Sequence, residues 1–336
     1  MTEHFPDWLQ APWQQLARTW GQGRLPHALL LAGPAGIGKH LLARKLTSLL
    51  LCQQPDADSG ACGRCPACTW LRAGSHPDLS ELVPEEPGKA IRIDQVRALG
   101  VELGMTSHAG RYKVAVIAPA DAMNVNAANS LLKTLEEPTA STLLILLTAS
   151  PGRLPATVRS RCQQLRIPGP ATGQALDWLQ GQGIERALAE RCLQIAGGAP
   201  LAAAQLAASD SLDLRDRWLD ELVAVFDGRL DPVRVADDWA GAHEAGALQW
   251  WQSALQALIR WQQAGEAPGE ARLVQMLRQI TEKVDCRQLF ELSDRITMAV
   301  ISLGSGLNRQ LLLEDLLIDW ARLAGKPPAR STAAGR

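Results

Sequence analysis

The sequence lacks any long hydrophobic run. Its longest, TLLILLTA at residues 142–149, has the length of a strand, whereas a membrane-spanning helix needs about 20 apolar residues. The N-terminus MTEHFPDWLQ also lacks the basic and then apolar stretch of a signal peptide. These two absences argue against a helical membrane anchor and predict a cytoplasmic protein.

An excess of charge of either sign is lacking as well. The 34 Lys and Arg residues against 35 Asp and Glu give a formal net charge of −1. The chain as a whole therefore has no basic field for nucleic acid, although a local basic face, or DNA binding by a complex that contains the chain, stays open. The 336 residues are 46% hydrophobic and 21% charged, which is ordinary for a globular protein of two or three domains.

Short apolar runs alternate with helical patterns in the first half of the chain. ALLLA at 28–32, KVAVIA at 113–118 and TLLILLT at 142–148 are typical of buried parallel strands, and QQLRI at 163–167 adds a fourth. The helices between them predict an α/β fold with a parallel sheet and right-handed crossovers. Beyond residue 168 the strand signal stops and the pattern is helical.

Helix ends in this half carry their own signals. Asp94 is a candidate N-cap for QVRALGVEL, and ADAMNVNAANSLLKTLEEP predicts one helix that ends at Pro138. Residues 53–90 are rich in Pro, Gly and Asp and are expected to be irregular, apart from a short helix that ends at Gly74.

A phosphate-binding motif follows the first predicted strand. Gly33, Gly38 and Lys39 have the spacing G-x-x-x-x-G-K, with Gly36 between them, and strand, glycine-rich loop and helix is the context that such a site needs. Backbone amides of this loop could hold phosphate, and Lys39 could reach its outer oxygens. The hydroxyl residue that binds magnesium is lacking, because position 40 is histidine.

The acidic residues that would complete a hydrolytic site are lacking too. They should follow the second predicted strand, where Ala118 and Pro119 stand, and Asp121 is displaced into the next turn. Little then remains to bind the metal or orient water. We expect this loop to be a structural scaffold or a weak nucleotide site, and occupancy without turnover stays open.

Four of the seven cysteines are close in sequence, in the pattern C-x9-C-x2-C-x2-C. This spacing brings three thiolates into one turn and a fourth from the end of the preceding helix. Four thiolates suit a structural zinc ion with no open position, and the surrounding sequence is poor in apolar residues. We therefore predict zinc at Cys52, Cys62, Cys65 and Cys68, with iron–sulfur ligation and free thiols as the alternatives. The isolated cysteines are interpreted as small buried hydrophobic residues: Cys162, Cys192 and Cys286.

These motifs together resemble one family. PHALLLAGPAGIGK, the four cysteines, HPD at 76–78, ANSLLKTLEEP at 128–138 and LPATVRSRC at 154–162 are similar to the clamp-loader subunits of the bacterial DNA polymerase III holoenzyme, which are AAA+ proteins. The resemblance is strong over roughly the first 210 residues and less specific in the helical remainder.

Within that family, the chain departs from the catalytic gamma/tau subunits. Those carry an intact phosphate loop and acidic pair, whereas this chain has His40, Ala118 and Pro119, and Pro200 stands where they carry a nucleotide-sensing arginine. Such losses resemble the delta-prime class of the family. The resemblance therefore implies a rigid stator without intrinsic ATPase, which belongs to a DNA-directed DNA polymerase holoenzyme but is not its polymerising subunit.

The resemblance also implies a domain organisation and partners. An AAA+ module would span residues 1–168, with a zinc-binding insert at about 52–68, a three-helix lid at 169–210, an oligomerising helical collar at 211–325 and a disordered tail at 326–336. The implied partners are the gamma/tau and delta subunits and, through the complex, the sliding clamp and primed DNA, with no membrane.

Arg161, in SRC, matches the arginine finger of the family. Its guanidinium keeps its charge, and its fork suits γ-phosphate oxygens of a neighbouring subunit. Taken without the family, Arg161 would be a solvated loop charge, and this is our interpretation of Arg159. Lys133 and Glu136 are either solvated or near the subunit boundary, and Thr148 is either a polar nucleotide sensor or a strand cap.

Two other functions stay open from the sequence. One is a gamma/tau-like ATPase of the same fold, which turnover by the purified chain would reveal. The other is a stand-alone zinc-dependent nucleic-acid-binding protein, which the near-neutral charge and the acidic PDLSELVPEEP make less favourable. QWWQ at 249–252 is expected in the collar core or an interface and not in a base-stacking platform.

Overall fold

The computed structural model describes most of the chain, and the described ranges are 5–56, 60–86, 88–108, 111–139, 141–240, 244–265, 267, 270–302 and 308–325. The chain forms two compact units, residues 1–204 and 205–336. The finer division into lid and collar stays a prediction, and the predicted tail at 326–336 lies outside the described residues. Within those residues, none of the helices combines the length and the apolar character needed to cross a membrane.

A five-stranded parallel sheet forms the centre of the first unit. Its strand order is β2-β3-β4-β1-β5, with bounds β1 Ala28–Ala32, β2 Leu79–Leu82, β3 Lys113–Ile117, β4 Thr142–Thr148 and β5 Gln163–Arg166. Every residue of β1 and β4 is buried, because strands flank both and helices cover both faces. The four predicted strands and the parallel α/β architecture are confirmed.

Helices cover the two faces of this sheet. Alternate residues of β1 point to opposite faces. Leu29 and Leu31 belong to the core formed with the first two helices, whereas Leu30 packs with the fourth and fifth. The described helices from the start of the chain to residue 207 are α1 Gln10–Gly21, α2 Lys39–Leu51, α3 Pro66–Arg72, α4 Ile93–Gly104, α5 Val125–Glu136, α6 Ala156–Arg159, α7 Thr172–Gly181, α8 Arg186–Ile195 and α9 Pro200–Ala207.

Two helix starts differ from the prediction. Asp94 is not an N-cap, because α4 begins at Ile93, where the backbone N–H of Arg92 donates to Gln95 Oε1 at 2.9 Å. The long helix predicted after β3 is shorter: residues 120–122 form a separate 3-10 turn. The helix itself starts after Asn124, whose side chain accepts from the N–H of Ala127 at 2.8 Å.

The second unit is helical, as predicted. Its core contains Trp239, Trp251 and Trp320, and the rings of Trp251 lie 5.9 and 6.0 Å from the other two in edge-on contacts. Trp251 comes from QWWQ, so the predicted core position is confirmed for this residue. The helices described here are α10 Ser211–Phe226, α11 Pro232–Trp239, α12 Glu244–Ala264, α13 Ala271–Lys283, α14 Cys286–Ser302 and α15 Arg309–Leu323.

Candidate functional site

The loop between β1 and α2 has the backbone that the phosphate-loop motif requires. Gly36 and Gly38 have φ values of 73° and 96°, which glycine adopts without strain. A Cβ atom on Gly33 would lie 2.3 Å from the carbonyl oxygen of Ile167. The path of the chain therefore demands these glycines whether or not phosphate binds.

The ammonium group of Lys39 is turned into the loop itself. Its Nζ donates to the carbonyl oxygens of Gly33 at 2.7 Å and Pro34 at 2.6 Å. Burial lowers the pKa of Lys39, and the nearby Asp121 carboxylate opposes this shift. The predicted phosphate-binding residues thus lie together, with the lysine bound to carbonyls of its own loop.

The chain also covers this loop with its own residues. The N–H of Leu201 in α9 donates to the carbonyl of Gly36 at 3.0 Å. On another side, Trp8 Nε1 donates to the carbonyl of Ile37 at 2.9 Å, and the Trp8 ring meets Trp178 of α7 edge-on at 5.7 Å. Helices α7 and α9 are therefore tied to the loop by contacts of the chain with itself.

The positions that would serve hydrolysis hold other residues. Strand β3 ends at Ile117, and Ala118 and Pro119 follow it. His40, at the position of the magnesium-binding hydroxyl, is exposed and lines a cavity of about 500 Å³. None of these side chains can supply the oxygen ligands that magnesium prefers.

Asp121, the nearest carboxylate, is already held. It lies in the 3-10 turn after β3, as predicted, and its Oδ1 accepts from Thr148 Oγ1 at 2.6 Å. The same hydroxyl accepts from the N–H of Ser150 at 3.0 Å. Thr148 thus joins the ends of two neighbouring strands, a pairing that the sequence did not predict.

The four clustered cysteines meet in space. Their sulfur atoms all lie within 4.8 Å of one another, and Cys52 Sγ is 3.9 Å from Cys65 Sγ. Zinc–sulfur bonds of about 2.3 Å in a tetrahedron place neighbouring sulfurs about 3.8 Å apart. Cys52 follows α2, Cys65 caps α3 and Cys68 lies in its first turn, so two helix ends bring the donors together.

The surroundings of these thiols favour metal binding. The N–H groups of Cys62 and Gln54 donate to Cys52 Sγ at 3.2 and 3.4 Å. Burial raises the pKa of Cys65, but hydrogen bonds from backbone and neighbouring thiols outweigh it and lower the pKa to about 6. Burial, together with side-chain hydrogen bonds to Cys65 and Cys52, raises the pKa of Cys68 to about 12, and a bound cation would favour its thiolate. The donor set fits structural zinc.

Arg161 is fixed by two contacts. Its Nη2 lies 2.6 Å from Glu136 Oε1 at the end of α5, and its Nη1 donates to the carbonyl of Thr157 at 3.0 Å. The pairing with Glu136 was not predicted, and opposite charge is its only sequence signal. Arg159 is half-buried, and its Nε has no hydrogen-bond partner within the described residues, so it is not simply a solvated charge.

Arg161 and the phosphate loop lie at opposite ends of the neighbouring strands β1 and β5. In the register of β1 and β5, Leu29 is opposite Gln163 and Ala32 is opposite Arg166. Arg161 precedes β5 whereas the loop follows β1, which separates them by roughly 20 Å at about 3.3 Å per residue. One side chain cannot span this distance, so Arg161 cannot act at the loop of its own chain.

Comparison with known proteins identifies the family. A family model described as "DNA polymerase III, delta subunit" matches residues 8–171, and one described as "DNA polymerase III, delta subunit, C terminal" matches 209–322. The DNA polymerase III subunit delta-prime of Pseudomonas aeruginosa is 38% identical, over 97% of this chain and 99% of that protein. The chain belongs to the DNA polymerase III delta-prime family.

Two further relatives are also DNA polymerase III subunits. The delta-prime subunit of Yersinia pestis is 33% identical over 93% of this chain and 94% of that protein. The tau subunit of Bacillus subtilis is 33% identical over only 43% of this chain and 25% of that protein. The delta-prime resemblance and membership of the DNA polymerase III clamp loader, and thus a role in DNA replication, are confirmed.

Proposed function

We propose that this delta-prime family member hydrolyses no ATP and supplies Arg161 to the ATP site of a neighbouring clamp-loader subunit. The observation that carries the proposal is that the length of the strands separates Arg161 from the phosphate loop. An exposed arginine that cannot reach its own phosphate loop can serve phosphoryl transfer only in another chain.

Two replacements support the absence of hydrolysis. His40 stands in place of the hydroxyl residue, and Ala118 and Pro119 stand in place of the acidic pair. The direct contact between α9 and Gly36 also means that no nucleotide is needed to hold that helix on the loop. Together these features favour a rigid stator.

The chemistry of the arginine suits the proposed role. Phosphoryl transfer spreads negative charge over the transferred group, and an arginine supplied in trans is worth about 10³–10⁵ in rate in other systems. We propose gamma/tau and delta as the partners, and loading of the sliding clamp onto primed DNA as the outcome. Zinc at the four cysteines would order the insert and take no part in the reaction.

The deciding experiment is reconstitution with gamma/tau and delta. Arg161→Ala should leave assembly intact, slow clamp loading, and remove from the total ATPase the share of the one site that receives Arg161. Arg166→Ala, which removes an exposed arginine from the adjacent strand, is the matched control. Unchanged ATPase and clamp loading in the Arg161→Ala complex would refute the role of the finger.

A second measurement separates the stator from a gamma/tau-like ATPase. The purified chain, given ATP, magnesium and primed DNA, should release phosphate no faster than background. ATP hydrolysis that increases with the concentration of the chain, and that persists after further purification, would favour the gamma/tau-like ATPase.

A further inference from the structure

We propose that Glu136 is a positioning residue, which holds the guanidinium of Arg161 in the orientation that meets the neighbour's phosphate. This inference rests on the proposed function. Glu136 Oε1 lies 2.6 Å from Arg161 Nη2, and Arg161 Nη1 donates to the carbonyl of Thr157 at 3.0 Å.

Both partners are attached to well-packed elements. Glu136 is the last residue of α5, whose Leu131 and Leu135 are buried in the core beneath the sheet. Arg161 stands between Val158 and Cys162, which are buried in the same core. The Glu136 carboxylate is therefore a fixed point on the surface, against which a long and otherwise mobile arginine side chain can be aligned.

The placement of Glu136 is not explained by its helix. An acidic residue in the last turn faces the negative end of the helix dipole, where a cation is preferred. Lys133, in the same turn, meets that preference. A carboxylate at this position loses some helix stabilisation, and the pairing with Arg161 accounts for it.

The donor count leaves room for phosphate. A guanidinium has five N–H donors, and Glu136 and Thr157 each take one. Three donors remain, which is enough for a bidentate contact with phosphoryl oxygens. Holding two donors before the neighbour arrives reduces the rotamer freedom that Arg161 would otherwise lose when the site assembles.

Exposure makes this role separable from folding. The side chains of Arg161 and Glu136 are 37% and 49% exposed, and surface ion pairs of this kind contribute little to stability. Loss of Glu136 should therefore be visible in the turnover of the assembled complex and not in the unfolding of the chain.

The experiment uses the complex reconstituted with gamma/tau and delta, with clamp and primed DNA. Glu136→Ala should lower kcat at the site that receives Arg161 by about tenfold, the lower end of the effect seen for residues that orient metal ligands, and leave KM for ATP unchanged. Glu136→Gln keeps an oxygen acceptor and should recover most of the rate. The adjacent exposed Glu137→Ala is the matched control, and the thermal unfolding of all three chains should agree.

A double variant tests whether Glu136 acts through Arg161. Adding Glu136→Ala to Arg161→Ala should cause no further loss of turnover. If Arg161→Ala itself has no effect, the proposed function fails. The positioning role alone is overturned if the Arg161→Ala complex turns over ATP slowly but Glu136→Ala has the same turnover as Glu137→Ala or a faster one. It is also overturned if Glu136→Ala lowers turnover further in the Arg161→Ala background.

Discussion

At the scale of single residues, Lys39 stabilises the loop to which it belongs. Its ammonium group donates hydrogen bonds to two carbonyls of that loop, those of Gly33 and Pro34. Lys39→Met should cost about 1–3 kcal/mol of unfolding free energy, because two partly buried hydrogen bonds from a charged donor are lost. Urea unfolding of the purified chain measures this loss.

The same variant tests whether the loop is a structural scaffold or an active site. Because we propose that the loop performs no hydrolysis, the complex assembled with Lys39→Met should keep the ATPase of the wild-type complex under conditions where the chain is folded. A loss as large as that of Arg161→Ala would show that the loop takes part in turnover.

His76 gives the molecule a predictable response to pH. Burial lowers its pKa, with Asp78 opposing, so the unfolded chain takes up this proton at higher pH than the folded chain. Stability from neutral His76 is therefore complete above its ordinary pKa of about 6.5 and is lost as the pH falls from that value through the lower pKa of the folded chain. Its Nδ1 accepts from the N–H of Asp78 at 3.1 Å, a bond that asparagine can imitate.

Unfolding free energies at several pH values test this contribution. His76→Asn removes the titrating group, so its stability should fall less steeply than that of the wild type between about pH 7 and pH 5. Equal slopes for the two chains would show that His76 does not contribute.

At the scale of elements, the insert that carries the four cysteines is expected to depend on a metal ion. Apart from the cysteines, the described residues of the loop between α2 and α3 pack few apolar side chains, so a bound metal would provide much of its order. The purified protein should contain one zinc per chain. Removal by a chelator should open residues 52–72 to limited proteolysis, whereas Cys286→Ser, outside the cluster, should change neither zinc content nor cleavage. A metal-free chain with the same cleavage pattern would contradict this.

The elements that the sequence predicted are those whose apolar pattern is long. Strands β1 and β4 are continuous buried runs, β3 is buried except at the half-buried Val116, and β5 follows a clear loop. Strand β2 was not predicted, because it is an edge strand of four residues in which only Leu82 is buried. Helix α11 was not predicted either, because it is short. Its N-cap Asp231 and the proline at its first position, Pro232, are nevertheless typical of a helix start.

The candidate site was predictable in its parts and less so in its connections. The glycines, Lys39, the cysteines and Arg161 follow from local spacing or from the family motif. The pairs Glu136–Arg161 and Thr148–Asp121 join segments that are distant in sequence, and only the packing of α5 on α6 and of β4 beside β3 brings them together. A single sequence carries no signal for such pairs beyond compatible chemistry.

At the scale of the whole molecule, the proposed function predicts how many nucleotides an assembly holds. A slowly hydrolysed ATP analogue, titrated into the reconstituted complex, should bind in a number equal to the gamma/tau subunits present. Lys39→Met in this chain should leave that number unchanged. If an additional nucleotide is bound and is lost with Lys39→Met, that nucleotide is bound by this chain.

The strand register gives the molecule a direction. Arg161 precedes the start of β5, and the phosphate loop follows the end of β1. Under the proposed function, one end of the sheet would donate an arginine and the other would take part in no hydrolysis. In a row of subunits that each complete the next one's ATP site, such a chain would stand at the first position, and an assembly would need a single copy of it.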